Sequence, residues 1–198
     1  MVSDHPERCL YLPVGKGVCL RELGQDDAPA YFRLVESSRE HLARWLQWVA
    51  YISDVQDCTV AIREFQESNT SSGGLTLGVF AGGSIAGVVS LLGIDQTNER
   101  ASMAYWLGTS FLKRGLMTAS CLALLEYAFS TLRLHRIELS AAVENVESWR
   151  LAERLSFQLE GVQRESERLH GNFLDHRLYG LLEREWASRE KRSIYLIG

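Results

Sequence analysis

The sequence predicts an α/β (α+β) domain: a mixed central β-sheet of about seven strands flanked by about four or five helices. Three observations carry this expectation. A cluster of β-rich runs lies between residues 75 and 107, with Gly82-Gly83 marking a hairpin turn. From Gly115 the apolar period switches to that of a helix. After Arg136 strand-like alternation returns, interrupted by one short helical stretch.

In order, Val18 to Leu23 alternates weakly and reads as an opening strand. Gln25-Asp26-Asp27 places acidic residues where a helix has its positive end. Tyr31, Leu34, Val35, Leu42, Trp45 and Leu46 then recur at helical spacing, and Ser37-Ser38 divides them between two helices. A further helix is predicted from Cys58 to Glu67, and the polar run 68–74 is a loop. Strands follow at 75–81, 84–93 and 100–107. Leu116, Ala119, Ala123, Leu124, Tyr127 and Ala128 form the stripe of a buried helix. Arg136 to Val143 is a strand, and Val146 to Leu155 is a short helix with Asn145 as its N-cap. Phe157 to Arg168 and Asp175 to Glu183 close the chain as strands around His170-Gly171-Asn172.

Composition bounds the function. The 198 residues suit one domain, with 46% hydrophobic and 23% charged side chains, which excludes wholesale disorder. Lys+Arg 21 against Asp+Glu 25 gives a net charge of −4, so a broad nucleic-acid-binding surface is not expected. The longest apolar stretch, Ile85 to Ile94, is too short to cross a bilayer, and the N-terminus lacks a signal-peptide layout. Cys9, Cys19, Cys58 and Cys121 are scattered, so neither a disulfide framework nor a metal site is expected. A cytoplasmic location, without membrane or nucleic-acid partners, is the expectation.

The joint between strand 100–107 and the helix from Leu116 is the informative one. A helix N-terminus leaves N–H groups unpaired and favours negative charge. Lys113 and Arg114 add cationic side chains there, and Gly115 permits close approach of a ligand. Read alone, the joint is either a pyrophosphate cradle or a turn with solvated charges. Neither a P-loop nor a dinucleotide fingerprint is present. Asn145-Val146-Glu147-Ser148, one strand and one helix later, favours the cradle.

Together these segments resemble the GNAT superfamily of N-acetyltransferases, in its RimJ/RimL branch. The resemblance rests on His41-Leu42-Ala43-Arg44-Trp45-Leu46-Gln47-Trp48, Tyr105-Trp106-Leu107, Arg114-Gly115-Leu116-Met117-Thr118 and Asn145-x-x-Ser148. Phe157-x-x-Glu160-Gly161 and Tyr179-Gly180-Leu181 complete it, over about residues 18 to 186 of a single domain with a short leader and tail. Leu112 stands where the family usually has Gln or Arg, Met117 where it has Gly or Ala, and Ser156 where it has Gly. Ala152 replaces the tyrosine that many members use as a general acid.

The resemblance implies the GNAT fold, with coenzyme A held between two splayed parallel strands, 102–107 and 136–143. Acetyl-CoA is then the donor. Trp106, Leu107 and Gly108 would meet its pantetheine arm. Lys113, Arg114, Gly115, Leu116, Met117 and Thr118 would hold its phosphates, and Asn145 completes the site. Ser148 matches the serine that serves the departing sulfur, and Glu167 the carboxylate that accepts the amine proton, directly or through water. Trp45, Trp48 and Tyr51 are the candidate acceptor wall, Trp48 being the better surface candidate and Trp45 reading equally as packing. His170 and His176 flank the last hairpin, within reach of an acceptor.

Direct transfer through a tetrahedral intermediate to the α-amine of a ribosomal protein is the implied reaction. A small amine, such as an antibiotic or aminoacyl conjugate, is the alternative within that class, conferring resistance or self-immunity. A non-catalytic acyl-CoA-binding module is the alternative outside it. RimL-like relatives also imply a homodimer.

Overall fold

The computed structural model describes residues 10–188; the leader through residue 9 and the charged, then apolar, tail from residue 189 lie outside them. The strands are β1 (Tyr11–Gly15), β2 (Val18–Arg21), β3 (Gly74–Ala81), β4 (Ser84–Asp95), β5 (Arg100–Leu107), β6 (Arg136–Ala142), β7 (Gln158–Leu169) and β8 (Asn172–Leu182). The helices are α1 (Ala28–Ser37), α2 (Arg39–Ala43), α3 (Val55–Thr70), α4 (Leu116–Ser130) and α5 (Val146–Arg154), with a last helical segment at 183–188.

All eight strands join one sheet in the order β1-β2-β3-β4-β5-β6-β8-β7. The sequence predicts about seven; β1 is the additional one, an edge strand with Pro13 at its centre whose residues are nowhere fully buried. Edge strands accept proline and need no clean apolar alternation, so the pattern there is faint. β8 starts at Asn172, three residues before the predicted Asp175.

Period-2 alternation divides the core between the two faces of the sheet. On one face Tyr31, Leu34 and Val35 of α1 and Cys58 and Ile62 of α3 pack on Phe80, Ile85 and Val88. On the other, Cys121, Leu124, Leu125 and Ala128 of α4 pack on Leu77, Val79, Val89 and Leu91. Leu124 and Leu125 are fully buried, each contributing about 1.5–3 kcal/mol of apolar transfer.

The site depends on one irregularity. Every neighbouring pair of strands is antiparallel except β5 and β6, which run parallel. Those two pair only at Arg100↔Arg136, Ala101↔Ile137 and Ser102↔Glu138. Beyond that, residues 103–107 and 139–142 continue without pairing to each other, and the sheet opens.

Beside the closed end of this gap, a charge clamp ties β6 to β7. Arg136 Nε donates to Glu138 Oε1 at 2.9 Å, and its Nη1 to Glu160 Oε1 at 2.7 Å. This fork holds the Glu160 carboxyl below the usual carboxylate range, through its hydrogen bonds to the guanidinium. Arg136 and Glu160 meet across β8 over Gly180, where an added Cβ would lie 2.5 Å from Glu160 Oε1. The Phe157-x-x-Glu160 and Tyr179-Gly180 motifs are thus two parts of one clamp.

Candidate active site

The open end of the β5–β6 gap leads into a cleft of about 510 Å³ bounded by β5, the β5–α4 joint, α4, α5 and α2. Its anionic-ligand end is made by main chain. Gly115 is the N-cap of α4 with φ +74°, and an added Cβ would meet nothing within 4 Å. No side chain caps the helix, and the first intrahelical donor is Ala119 N–H, bonded to Gly115 O at 3.1 Å. The N–H groups of Leu116, Met117 and Thr118, all lining the cleft, are therefore free to bind an anion. Lys113, itself left-handed at φ +59°, lines the same end. Arg114 lies off the lining, with its guanidinium 5.7 Å from the Phe111 ring centre. Leu112 gives the cleft an apolar wall where the family has a polar side chain.

Along β5, Gly108 N–H is donated to Ala86 O at 2.9 Å, and Gly108 has no room for a Cβ, which would sit 2.2 Å from Leu34 Cδ1. Gly108 therefore serves packing on α1. An antiparallel ladder alternates, so the main-chain groups of Leu107 turn from β4 toward the gap. Trp106 and Leu107 line the cleft, and Trp106 also stacks edge-on against Tyr31 at 5.5 Å.

α5 supplies the polar wall. Asn145 caps it by accepting from Ser148 N–H at 3.3 Å, and both residues line the cleft. The Tyr105 hydroxyl donates to the Ser148 carbonyl oxygen at 3.1 Å and shares a 3.0 Å hydrogen bond with Ser148 Oγ. Burial pushes the Tyr105 phenol above its ordinary pKa, so it stays protonated at neutral pH. Ala152, where a catalytic tyrosine stands in many relatives, is fully buried in the core. The phenol beside Ser148 belongs to Tyr105 of β5.

α5 ends in a Schellman motif, with Phe157 N–H bonded to Ala152 O at 3.0 Å and Ser156 N–H to Glu153 O at 2.9 Å. Ser156 holds φ +72°, which accounts for the glycine that the family favours there.

On the α2 side Trp45 lines the cleft, together with His41 and Leu46. Trp48 stays off the lining and packs on Trp106, with ring centres 5.6 Å apart. Tyr51 is exposed beside a smaller hollow of about 340 Å³ under His170, whose Nε2–H donates to Ala43 O at 2.6 Å. Glu167 lies on β7 outside the cleft lining, with Oε2 2.9 Å from His176 Nε2. Sequence reasoning does not single out Glu147, Arg150 and Arg154, which also line the cleft. Their spacing along α5 puts them on one helical face, which is the signal that could have found them.

Among the described residues no cluster of His, Cys, Asp or Glu could hold a metal, and no helix is long and apolar enough to cross a membrane. Burial among apolar α4 neighbours raises the Cys121 thiol pKa, so that group stays protonated at neutral pH.

This geometry has known counterparts. The model of the acetyltransferase (GNAT) domain matches residues 18–158. The putative ribosomal N-acetyltransferase YdaF of Bacillus subtilis is 32% identical over 178 residues, 89% of this chain and 97% of the relative. Among solved structures, the alpha-N-protein acetyltransferase RimL in complex with coenzyme A has a TM-score of 0.84 at 27% identity, covering 87% of this chain and 98% of that one. The microcin self immunity acetyltransferase MccE, in complex with acetyl-CoA and AMP, has a TM-score of 0.82 at 28% identity, covering 85% and 94%. A strand pair that opens onto an uncapped helix N-terminus, in a chain matched so fully, places this protein in the GNAT family as an N-acetyltransferase.

Proposed function

We propose that the protein transfers acetyl from acetyl-CoA to the α-amine of a protein N-terminus, with ribosomal proteins as the acceptor class. The observation that carries the reading is the uncapped N-terminus of α4 opening on the same cleft as Ser148 and the end of β5. The names of YdaF and RimL support the acceptor class.

Acetyl-CoA supplies an acyl group already activated as a thioester. The residues of this chain do the rest. The N–H groups of Leu116, Met117 and Thr118, with Lys113, bind its phosphates at the positive end of α4. Leu107 N–H, turned into the gap, is placed to stabilise an oxyanion on the acyl carbon. Ser148 holds a proton for the departing sulfur, and Tyr105 fixes that hydroxyl. Glu167, outside the cleft lining, serves removal of the amine proton through intervening groups.

A small-amine acceptor is the second reading, favoured by the likeness to MccE. Incubation with acetyl-CoA and an acceptor panel, read by mass spectrometry, tests both. Acetylation of ribosomal N-terminal peptides at the α-amine supports the first. Acetylation confined to amine antibiotics or aminoacyl conjugates supports the second, and no acetylated product from either class overturns both.

A further inference from the structure

Glu167 does not stand alone on the sheet. His176 of β8 lies between it and Ser140 of β6, so three adjacent strands carry one line of polar side chains. Glu167 Oε2 is 2.9 Å from His176 Nε2, and His176 Nδ1 is 2.8 Å from Ser140 Oγ. The negative charge of Oε2 lies on the Nε2 side of the ring, so electrostatics favour the tautomer with its proton on Nε2. Nδ1 then carries the lone pair, and the Ser140 hydroxyl donates to it. Nε2 is buried and meets Oε2 too obliquely for a hydrogen bond, leaving a charge contact that strengthens when the ring is protonated.

The outer end of this line lies beside the gap, just outside the cleft lining. Ser140 is exposed and lies two residues past Glu138, where β6 stops pairing with β5. Period-2 alternation puts Ser140 on the face of Glu138, and through the Ser102↔Glu138 pair on the face of Trp106. That is the α1–α3 side, opposite α4. The other charges near the ring are engaged elsewhere. Asp175 Oδ1 accepts from Glu165 N–H, Arg177 lies 4.3 Å over the Trp149 ring, and Glu138 is bound to Arg136. Glu167 is therefore the charged group in contact with His176, and Gln163, the ring's cross-strand partner, is neutral.

We propose that Ser140, His176 and Glu167 form the relay that removes the proton from the acceptor amine. The inference rests on the acetyl-transfer reading and gives Glu167 a positioning role instead of direct contact with the amine. As the nitrogen bonds to the acyl carbon, its N–H proton passes to Ser140 Oγ. The hydroxyl's own proton passes at the same time to His176 Nδ1. Serine remains a neutral hydroxyl, and the ring becomes an imidazolium facing Glu167 until it releases the proton to water. The sulfur takes its proton separately, from the Ser148 side.

The test uses the full chain, acetyl-CoA and an amine that the wild type acetylates. His176→Gln keeps a side chain able to bond Ser140 but unable to take up a proton. It is expected to lower kcat on the order of 10²-fold, the usual scale of acid–base assistance, with coenzyme A affinity unchanged. The acidic limb of the wild-type kcat–pH profile, set by ring protonation, should disappear, a change that a purely structural role would not produce. Nitrogen-15 NMR of the imidazole supplies a readout independent of turnover. The Nε2–H tautomer is expected. A His176→Gln enzyme with wild-type kcat and pH profile overturns the relay, as does an Nδ1–H tautomer. Acetylation of Ser140 itself would overturn it in favour of a nucleophilic serine. If the wild type acetylates no amine, the acetyl-transfer reading fails by itself, and the tautomer still decides whether the relay geometry exists.

Discussion

Gly115 lets the phosphate cradle be tested separately from the fold. Its φ of +74° lies where an L-residue costs roughly 1–2 kcal/mol. A Cβ there meets no atom within 4 Å, so Gly115→Val adds backbone strain to the free protein but no clash. For a domain of this size, about 1 kcal/mol lowers Tm by roughly 2–4 °C. Coenzyme binding should suffer more, because the side chain stands beside the N–H groups of Leu116 and Met117. Loss of one charge-assisted hydrogen bond, about 1.5–3 kcal/mol, corresponds to roughly a 10- to 150-fold weaker Kd. Gly115→Asn tolerates the left-handed backbone better and should lose affinity with a smaller fall in Tm. Calorimetric titration with coenzyme A and thermal unfolding of the free variants give the two quantities. Wild-type coenzyme affinity in Gly115→Val would refute the cradle.

Three further predictions concern α5 and the residue bonded to it. Ser148→Ala should lower kcat with little change in acetyl-CoA affinity. Tyr105→Phe, which removes both hydrogen bonds to Ser148, should do so more weakly; steady-state kinetics beside coenzyme titration checks both. Ser156→Gly relieves the left-handed strain at the end of the helix and should raise stability by about 1 kcal/mol, seen as a higher urea midpoint with unchanged m-value.

What was legible in the sequence follows the range of the interactions. The stripe from Leu116 to Ala128 marks a helix because its pattern is local, and Gly115 marks the site because helix termini have local chemistry. The Asn145 cap and its bond to Ser148 are legible for the same reason. β1 escapes because an edge strand needs little apolar burial. Tyr105 is visible as a motif residue, but its bond to Ser148 joins a strand to a helix 43 positions away. Ala152 suggests that the site lacks a phenol; only the fold shows one arriving from β5. Trp45 and Trp48 are three residues apart on the same segment, and Trp48 packs against Trp106 while Trp45 faces the cleft, a division set by a strand 58 positions away. Glu167 is legible as a carboxylate by resemblance, while His176 and Ser140 meet it only through the sheet order β6-β8-β7.

A crystal structure of the full chain with acetyl-CoA decides whether the β5–β6 gap and the α4 N-terminus hold the coenzyme. The diphosphate is expected on the N–H groups of Leu116, Met117 and Thr118, with the pantetheine arm between residues 103–107 and 139–142. Phosphates bound away from the α4 N-terminus, or a pantetheine arm that leaves the β5–β6 gap empty, would contradict this placement.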